Sequence, residues 1–381
     1  MDVVRLPGSR IVDIARLAFA TPGVDFLCFG ESDQPSPPVA RDALVAALDA
    51  GATKYPPIRG LPELRSALAA YLTALHRQPI AEDRVQVTAS GMAALAVALS
   101  ATIRPGDRVV IHGPLWPNIA NAIRLRAGEI DEIPLTARPN GGFALDLDLL
   151  ASRLRGARAF VLNSPNNPTG WTARTDELRA ILNLCRRENA WLIADEVYTR
   201  LVYDGAAAAP SLLDIAAPDD RVIVCNSFSK TWIMTGWRLG WLVVPAGVDS
   251  AVAEIVEVTH SGVAPFIQHA GIAAMADPGA IERFRDFCAE GRRLCGEFLS
   301  GVNGVRYAAP DGAFYAFIAI DGVRDSHTLA RRLLSEHKVA VAPGIAFGPA
   351  GEGHLRICYA QSPQMLGRAM ERLRAGLRAL R

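Results

Sequence analysis

Lys230 stands eight residues before Arg238 and directly after Ser227, Phe228 and Ser229. The stretch follows an apolar run, Val222 to Cys225, of the kind that forms a strand buried on both faces. A lysine at such a strand end can hold an aldehyde as a Schiff base. Two hydroxyls before it and an arginine after it suit a phosphate. Aldehyde and phosphate together describe pyridoxal phosphate (PLP). A surface lysine beside a turn is the reading that this stretch alone leaves open.

PLP chemistry makes further demands. A carboxylate must face the pyridine nitrogen and keep it protonated. Asp195 ends another apolar run, Trp191 to Ala194, where a carboxylate without a partner would tend to protonate. Capping a following helix is its other possible use. Tyr198, three residues on, can approach the same ring and donate to its phenolic oxygen, and Asn167 can supply a second donor. Asn167 lies in Asn166-Asn167-Pro168-Thr169-Gly170, which would also make an ordinary turn. Ser90-Gly91-Met92 sits between a strand and a helix, where free N–H groups and the helix dipole attract an anion. An ordinary N-cap looks the same.

These residues need a scaffold that brings them together. Short apolar runs alternate with helical patterns: 85–88 before a helix over 92–102, then 108–112, 159–162, 191–194, 222–225 and 240–244. Such alternation predicts βαβ units in an α/β fold with a mainly parallel sheet. Polar residues stand where three runs stop, at 163–170, 195–198 and 227–230. Ligands of open α/β sheets bind at the carboxyl ends of strands, so the three clusters are expected to share one crevice. After about residue 246 the pattern changes. One long helical segment over 249–275, a charged helix over 281–299, strands near 313–320 and 354–359 and a last helix over 363–380 predict a smaller α+β domain.

Composition narrows the classes. The 381 residues allow two domains, and half are hydrophobic. Forty Lys and Arg against 39 Asp and Glu give a net charge of +1, which argues against a nucleic-acid protein. The six cysteines form no CxxC pair, and the seven histidines show no HExxH spacing. No disulfide framework or metal site is expected, and a reducing cytoplasm fits. Asp2, Arg5, Arg10, Asp13 and Arg16 interrupt any signal-peptide core. The run 92–103 is too short to span a membrane. The glycine-rich stretch 348–353 opens no long helix and is not a dinucleotide fingerprint.

Several segments in order extend the pattern. They are Phe29-Gly30-Glu31 with Pro37, Tyr55 to Arg65, Asn166 to Gly170, Asp195 to Tyr198, Ser227 to Gly240, Gly312 to Tyr315 and His354 to Ile357. With them the chain resembles the fold type I PLP-dependent aminotransferases of class I/II, the aspartate aminotransferase superfamily. The resemblance implies a large PLP-binding domain over 45–270 and a small domain made of 1–44 and 271–381. It implies an amino group moved between an L-amino acid and a 2-oxo acid. Lys230 would form the Schiff base, Asp195 would hold the ring nitrogen, and Tyr198 and Asn167 would donate to the ring oxygen. Ser90, Gly91, Met92, Ser227 and Arg238 would hold the phosphate, Met92 through its backbone alone. Trp116 would stack on the ring, and Arg356, with Asn167 and the backbone of Gly30, would bind the α-carboxylate. Tyr55 would reach the phosphate of a neighbouring subunit, which implies a homodimer.

No second arginine is assigned to a distal carboxylate, since Thr259-His260-Ser261-Gly262 occupies the stretch where one is sought. Residues 11–30 are expected to shape the side-chain pocket. Other reactions on the same scaffold are a carbon–sulfur β-elimination and a decarboxylation. A non-catalytic effector-binding module is the reading of another class. The absence of a domain before residue 10 and the near-zero charge speak against it.

Overall fold

The structure, a computed structural model, describes residues 3, 5–138 and 142–379. The start of the 1–20 segment and residue 380 of the last expected helix therefore lie outside the described residues.

Seven strands form the central sheet: β1 (Val85–Thr88), β2 (Arg108–Gly113), β3 (Glu129–Pro134), β4 (Ala159–Asn163), β5 (Trp191–Asp195), β6 (Val222–Ser227) and β7 (Gly240–Val243). Their order across the sheet is β1-β7-β6-β5-β4-β2-β3. All neighbours run parallel except β7, which is antiparallel to both β1 and β6. The strands are apolar without alternation because each face covers a separate core. In β4, Phe160 and Leu162 point into one core and Ala159 and Val161 into the other. In β5, Leu192 and Ala194 face the first and Ile193 the second. This is the period-2 geometry of a strand between two helical layers. Edge strand β3, Glu-Ile-Asp-Glu-Ile-Pro, is mostly outside the core and carries no apolar run, so it escaped the sequence reading.

A third core gathers residues from 14–28 and 284–377, with Tyr198 and Leu201. A four-stranded sheet supports it, built around the antiparallel pair Tyr315–Ile320 and His354–Cys358. Helices Pro278–Leu299 and Pro363–Arg378 flank it. Helix Arg10–Phe19 turns Ile14, Ala15 and Ala18 inward.

Local signals explain the differences from expectation. The segment 249–275 is two helices, Asp249–His260 and Pro265–Met275. Ser261 (φ 52°) and Gly262 (φ 90°) both turn into the left-handed region, and Pro265 opens the second helix. This is the usual exit and entry chemistry of helices. The charged helix begins at Pro278, not 281, because the Asp277 side chain accepts the Gly279 N–H and caps it. All six cysteines are buried and free. Among the described residues no helix is long and apolar enough to cross a membrane, and no cluster of metal-ligating side chains occurs.

Candidate active site

The sheet register places the polar strand ends side by side. Asn163 pairs with Asp195, Asp195 with Cys225, and Ser227 with Gly240 across the ladder. Beyond Thr88 the chain turns tightly at Ser90, whose φ of 141° lies where side chains are strained. The Ser90 Oγ accepts the Ala93 N–H (3.0 Å) and caps helix Gly91–Thr102. Gly240 makes this approach possible. A Cβ there would lie 2.5 Å from the Ser90 carbonyl carbon and 2.6 Å from the Gly91 nitrogen. The N-terminus of a twelve-residue helix is thereby pressed against the ends of β6 and β7.

A cavity of about 380 Å³ opens at these ends. Lys230, Asp195, Tyr198, Asn167, Gly91, Met92, Ser227, Arg238, Trp116, Gly30 and Arg356 all line it. The structure thus brings eleven of the thirteen sequence-derived site residues to one cavity. The Lys230 Nζ donates to the Gly30 carbonyl (2.6 Å) and lies about 6 Å from the rings of Tyr198 and Phe314. Burial lowers its pKa from 10.5 to about 8. Arg356 and Arg238 act in that direction, but loss of water is the larger cause. Burial also raises the Asp195 carboxyl from 3.8 to about 6, against a weak hydrogen bond from the Val197 N–H (3.4 Å) and the attraction of Lys230. No helix follows Asp195, so it caps none.

Arg356 is 2 % exposed and held on three sides. It donates to the Asn167 Oδ1 (2.9 Å) and the Cys28 carbonyl (2.5 Å), and its guanidinium lies 4.4 Å from the Tyr315 ring centroid and 4.8 Å from that of Phe347. Its Nε is buried without a partner among the described residues. Because Asn167 accepts through Oδ1, its amide N–H₂ remains available to donate. Arg238, with φ 57°, is exposed at the rim and donates to the Thr235 carbonyl.

Two sequence-derived residues fall outside the cavity wall. Ser90 lies behind it with its hydroxyl engaged in the cap. Tyr55 is 92 % exposed and touches no part of this cavity. Several lining residues were missed. Asn163 holds the turn through its Oδ1, which accepts from the Asn167 N–H (2.8 Å). Tyr315 shares a hydrogen bond between hydroxyls with Tyr198 (2.7 Å), and its ring underlies Arg356. Ser9 adds to the wall, ahead of the expected 11–30 segment, from which Ile11, Val12, Cys28, Phe29 and Gly30 do line it.

The donor set fits PLP. One amine of depressed pKa, one buried and under-bonded carboxylate, two phenolic or amide donors, and a helix N-terminus with Ser227 and Arg238 meet in one cavity. The packing is close as well, since a Cβ on Gly91 would come within 3.3 Å of both Ser227 Cβ and Val197 Cγ1. Comparison with known proteins decides the family. The model of the family "Aminotransferase class I and II" matches residues 24–373. The chain belongs to the class I and II aminotransferases. This aminotransferase is 33 % identical to an aspartate aminotransferase of Pyrococcus horikoshii over 98 % of its own length and 96 % of the relative's. It is also 33 % identical to an aromatic-amino-acid aminotransferase of Thermococcus litoralis, over 96 % and 94 %. The solved aspartate aminotransferase of Thermotoga maritima superposes with a TM-score of 0.91 at 32 % identity, covering 99 % of this chain and 100 % of that one. It is a PLP-dependent transaminase of fold type I, acting on an amino acid and a 2-oxo acid.

Proposed function

We propose that Lys230 is the amine that carries the cofactor and then moves the substrate's α-proton. The observation that carries this reading is the meeting in one cavity of Asp195, the last residue of β5, and Lys230, on the short helix Phe228–Thr231 that follows the adjacent β6. The bound cofactor supplies an electron-withdrawing ring that makes the α-proton labile. Asp195 would hold the proton on the ring nitrogen, and that pairing would offset the burial of both charges. Tyr198 Oη and the Asn167 amide would donate to the ring oxygen, and Trp116 would pack against the ring. The backbone N–H groups of Gly91 and Met92, the Ser227 hydroxyl and Arg238 hold the phosphate, with Ser90 fixing the helix end. Arg356 binds the α-carboxylate with Asn167, beside the Gly30 backbone. Its buried Nε, without a partner among the described residues, supports this. Near neutral pH part of the Lys230 amine is free of its proton, as a base acting on Cα needs.

The reading extends to the assembly. Tyr55, exposed and outside the wall of its own cavity, serves the phosphate of a second copy, so the enzyme works as a homodimer. The separate core of 14–28 and 284–377 supports a division into a large domain, 45–270, and a small one, 1–44 with 271–381. Six buried, free thiols support a cytoplasmic enzyme. The test is Lys230→Ala. It should abolish the visible absorbance of the lysine-bound cofactor and reduce turnover by several orders of magnitude. A variant that transaminates at the normal rate would sink the assignment.

A further inference from the structure

We infer that His112 is a positioning residue for the transamination: through Asn163, its ring sets the turn that carries Asn167 against the strand end that carries Asp195. The inference rests on the proposed roles of Asn167 and Asp195 at the cofactor ring.

The central sheet opens beside His112. The ladder between β2 and β4 stops at Ile111–Val161. Pairing on either side goes further, to Gly113–Pro134 between β2 and β3 and to Asn163–Asp195 between β4 and β5. In this gap the Asn163 N–H meets a side chain in place of a strand carbonyl. It donates to His112 Nε2 at 3.1 Å, and both residues are buried. An accepting Nε2 leaves the ring proton on Nδ1. Burial lowers the pKa of the ring from 6.5 to about 4, so the accepting form holds at neutral pH. The ring meets Phe160 and Trp171 edge to face, at centroid distances of 6.4 and 5.6 Å. Its Nδ1 has no hydrogen-bond partner among the described residues. A buried N–H without a partner is costly, so a residue present for packing alone would be better apolar.

Asn163 passes the position on. Its Oδ1 accepts from the Asn167 N–H (2.8 Å) and the Asn166 Nδ2 (3.3 Å), and its Nδ2 donates to the Asp195 carbonyl (3.1 Å). Asn167 in turn accepts from Arg356 (2.9 Å). One side chain thus ties together the proposed donor to the ring oxygen, the proposed partner of the ring nitrogen and, through Asn167, the proposed carboxylate site. His112 stands outside the cavity wall formed by the described residues and reaches these groups by way of Asn163. Without the ring, the Asn163 N–H would be buried and unpaired, and the strand end would shift to find another acceptor.

The test is a pH titration of the visible band of the PLP-loaded enzyme. His112→Leu keeps an apolar body beside Phe160 and Trp171 and removes the acceptor. Looser donation from Asn167 to the ring oxygen favours proton binding by the lysine-bound cofactor. The midpoint should therefore rise by about 0.5 pH unit, roughly threefold in proton affinity. His112→Gln, whose amide oxygen can stand in for Nε2, should recover most of the shift. A leucine variant that is less stable to urea but titrates with the wild-type midpoint overturns the inference, because the ring then only fills space. A glutamine variant that titrates like the leucine variant overturns it as well. Should the leucine variant not fold, Asn163→Ser cuts the same link one step later and spares the bond to His112. A raised midpoint there supports the inference, and an unmoved one overturns it. A wild-type chain that develops no visible band with PLP overturns the proposed function instead.

Discussion

Removing the Lys230 amine should make the cofactor-free protein more stable while it destroys the enzyme. The folded chain holds this amine at a pKa of about 8 against 10.5 in water. At about 1.4 kcal/mol per pKa unit, the charged amine destabilises the folded state by roughly 3 kcal/mol at pH 7. Lys230→Met keeps the length and bulk of the side chain without the charge. The substitution also loses the hydrogen bond to the Gly30 carbonyl, worth about 1 kcal/mol, so a net gain of about 2 kcal/mol is expected at pH 7. The gain has a defined pH window. Below pH 8 the amine is charged in both the folded and the unfolded wild-type chain, and the full burden is present. Between pH 8 and 10.5 the folded amine is neutral while the unfolded one still binds a proton, so wild-type stability rises with pH relative to the variant. Near pH 10.5 the burden has nearly gone, the lost hydrogen bond remains, and the variant should be equal or slightly less stable. Urea unfolding of both cofactor-free proteins at matched concentration, at pH 7, 9 and 10.5, measures this crossover. A variant no more stable than wild type at pH 7, or a difference that stays constant to pH 10.5, would refute the reasoning that burial sets the state of this lysine.

Two further substitutions probe the parts that hold the site. Tyr315→Phe removes the hydroxyl bonded to Tyr198 while keeping the ring beneath Arg356. It should lower kcat/KM about fivefold, the worth of one buried hydrogen bond, and shift the pH at which the bound cofactor's visible band changes; an unmoved band would mean that Tyr315 only fills space. Gly240→Ala would drive a Cβ into the Ser90–Gly91 backbone, at 2.5 and 2.6 Å. It should destabilise the fold by about 1–3 kcal/mol and weaken PLP affinity by at least tenfold, whereas PLP titration showing unchanged affinity would separate the phosphate turn from this contact.

The strand ends were legible because burial on both faces leaves a plain signature. Phe160, Val161 and Leu162 feed two cores in alternation, so no polar residue interrupts them until Asn163. Polar residues that stop such runs mark the carboxyl edge of the sheet, where ligands of open α/β folds bind. Tyr315 was not legible as a site residue. Its significance depends on the pairing of 315–320 with 354–358, which sets it beneath Arg356, and on a contact with Tyr198 117 positions away. Gly240 has the same character. It reads as the first residue of a strand, and its need for a missing Cβ appears only when β7 lies antiparallel between β1 and β6. The break at Ser261–Gly262 was written locally, in a Ser-Gly pair four residues before Pro265, but the apolar periodicity on either side masked it.

The cavity without cofactor collects several unfavourable features at one place. An amine and a carboxyl are both pushed toward their neutral forms by burial, an arginine N–H is buried without a partner among the described residues, and Ser90 is held at φ 141°. Scattered through the fold, each would be a defect with its own repair. Gathered around 380 Å³, they share one remedy. On the proposed roles, a small anionic aldehyde with a basic ring nitrogen would be carried by the Lys230 amine and would give the Asp195 carboxylate its counter-charge. On the same reading a substrate carboxylate would meet Arg356. The two cores of the large sheet and the third core behind Tyr198 and Tyr315 hold these groups in place before any ligand arrives. Ligand binding therefore has little rearrangement to drive and can lower the energy of groups already in position, which is the physical content of a preorganised site.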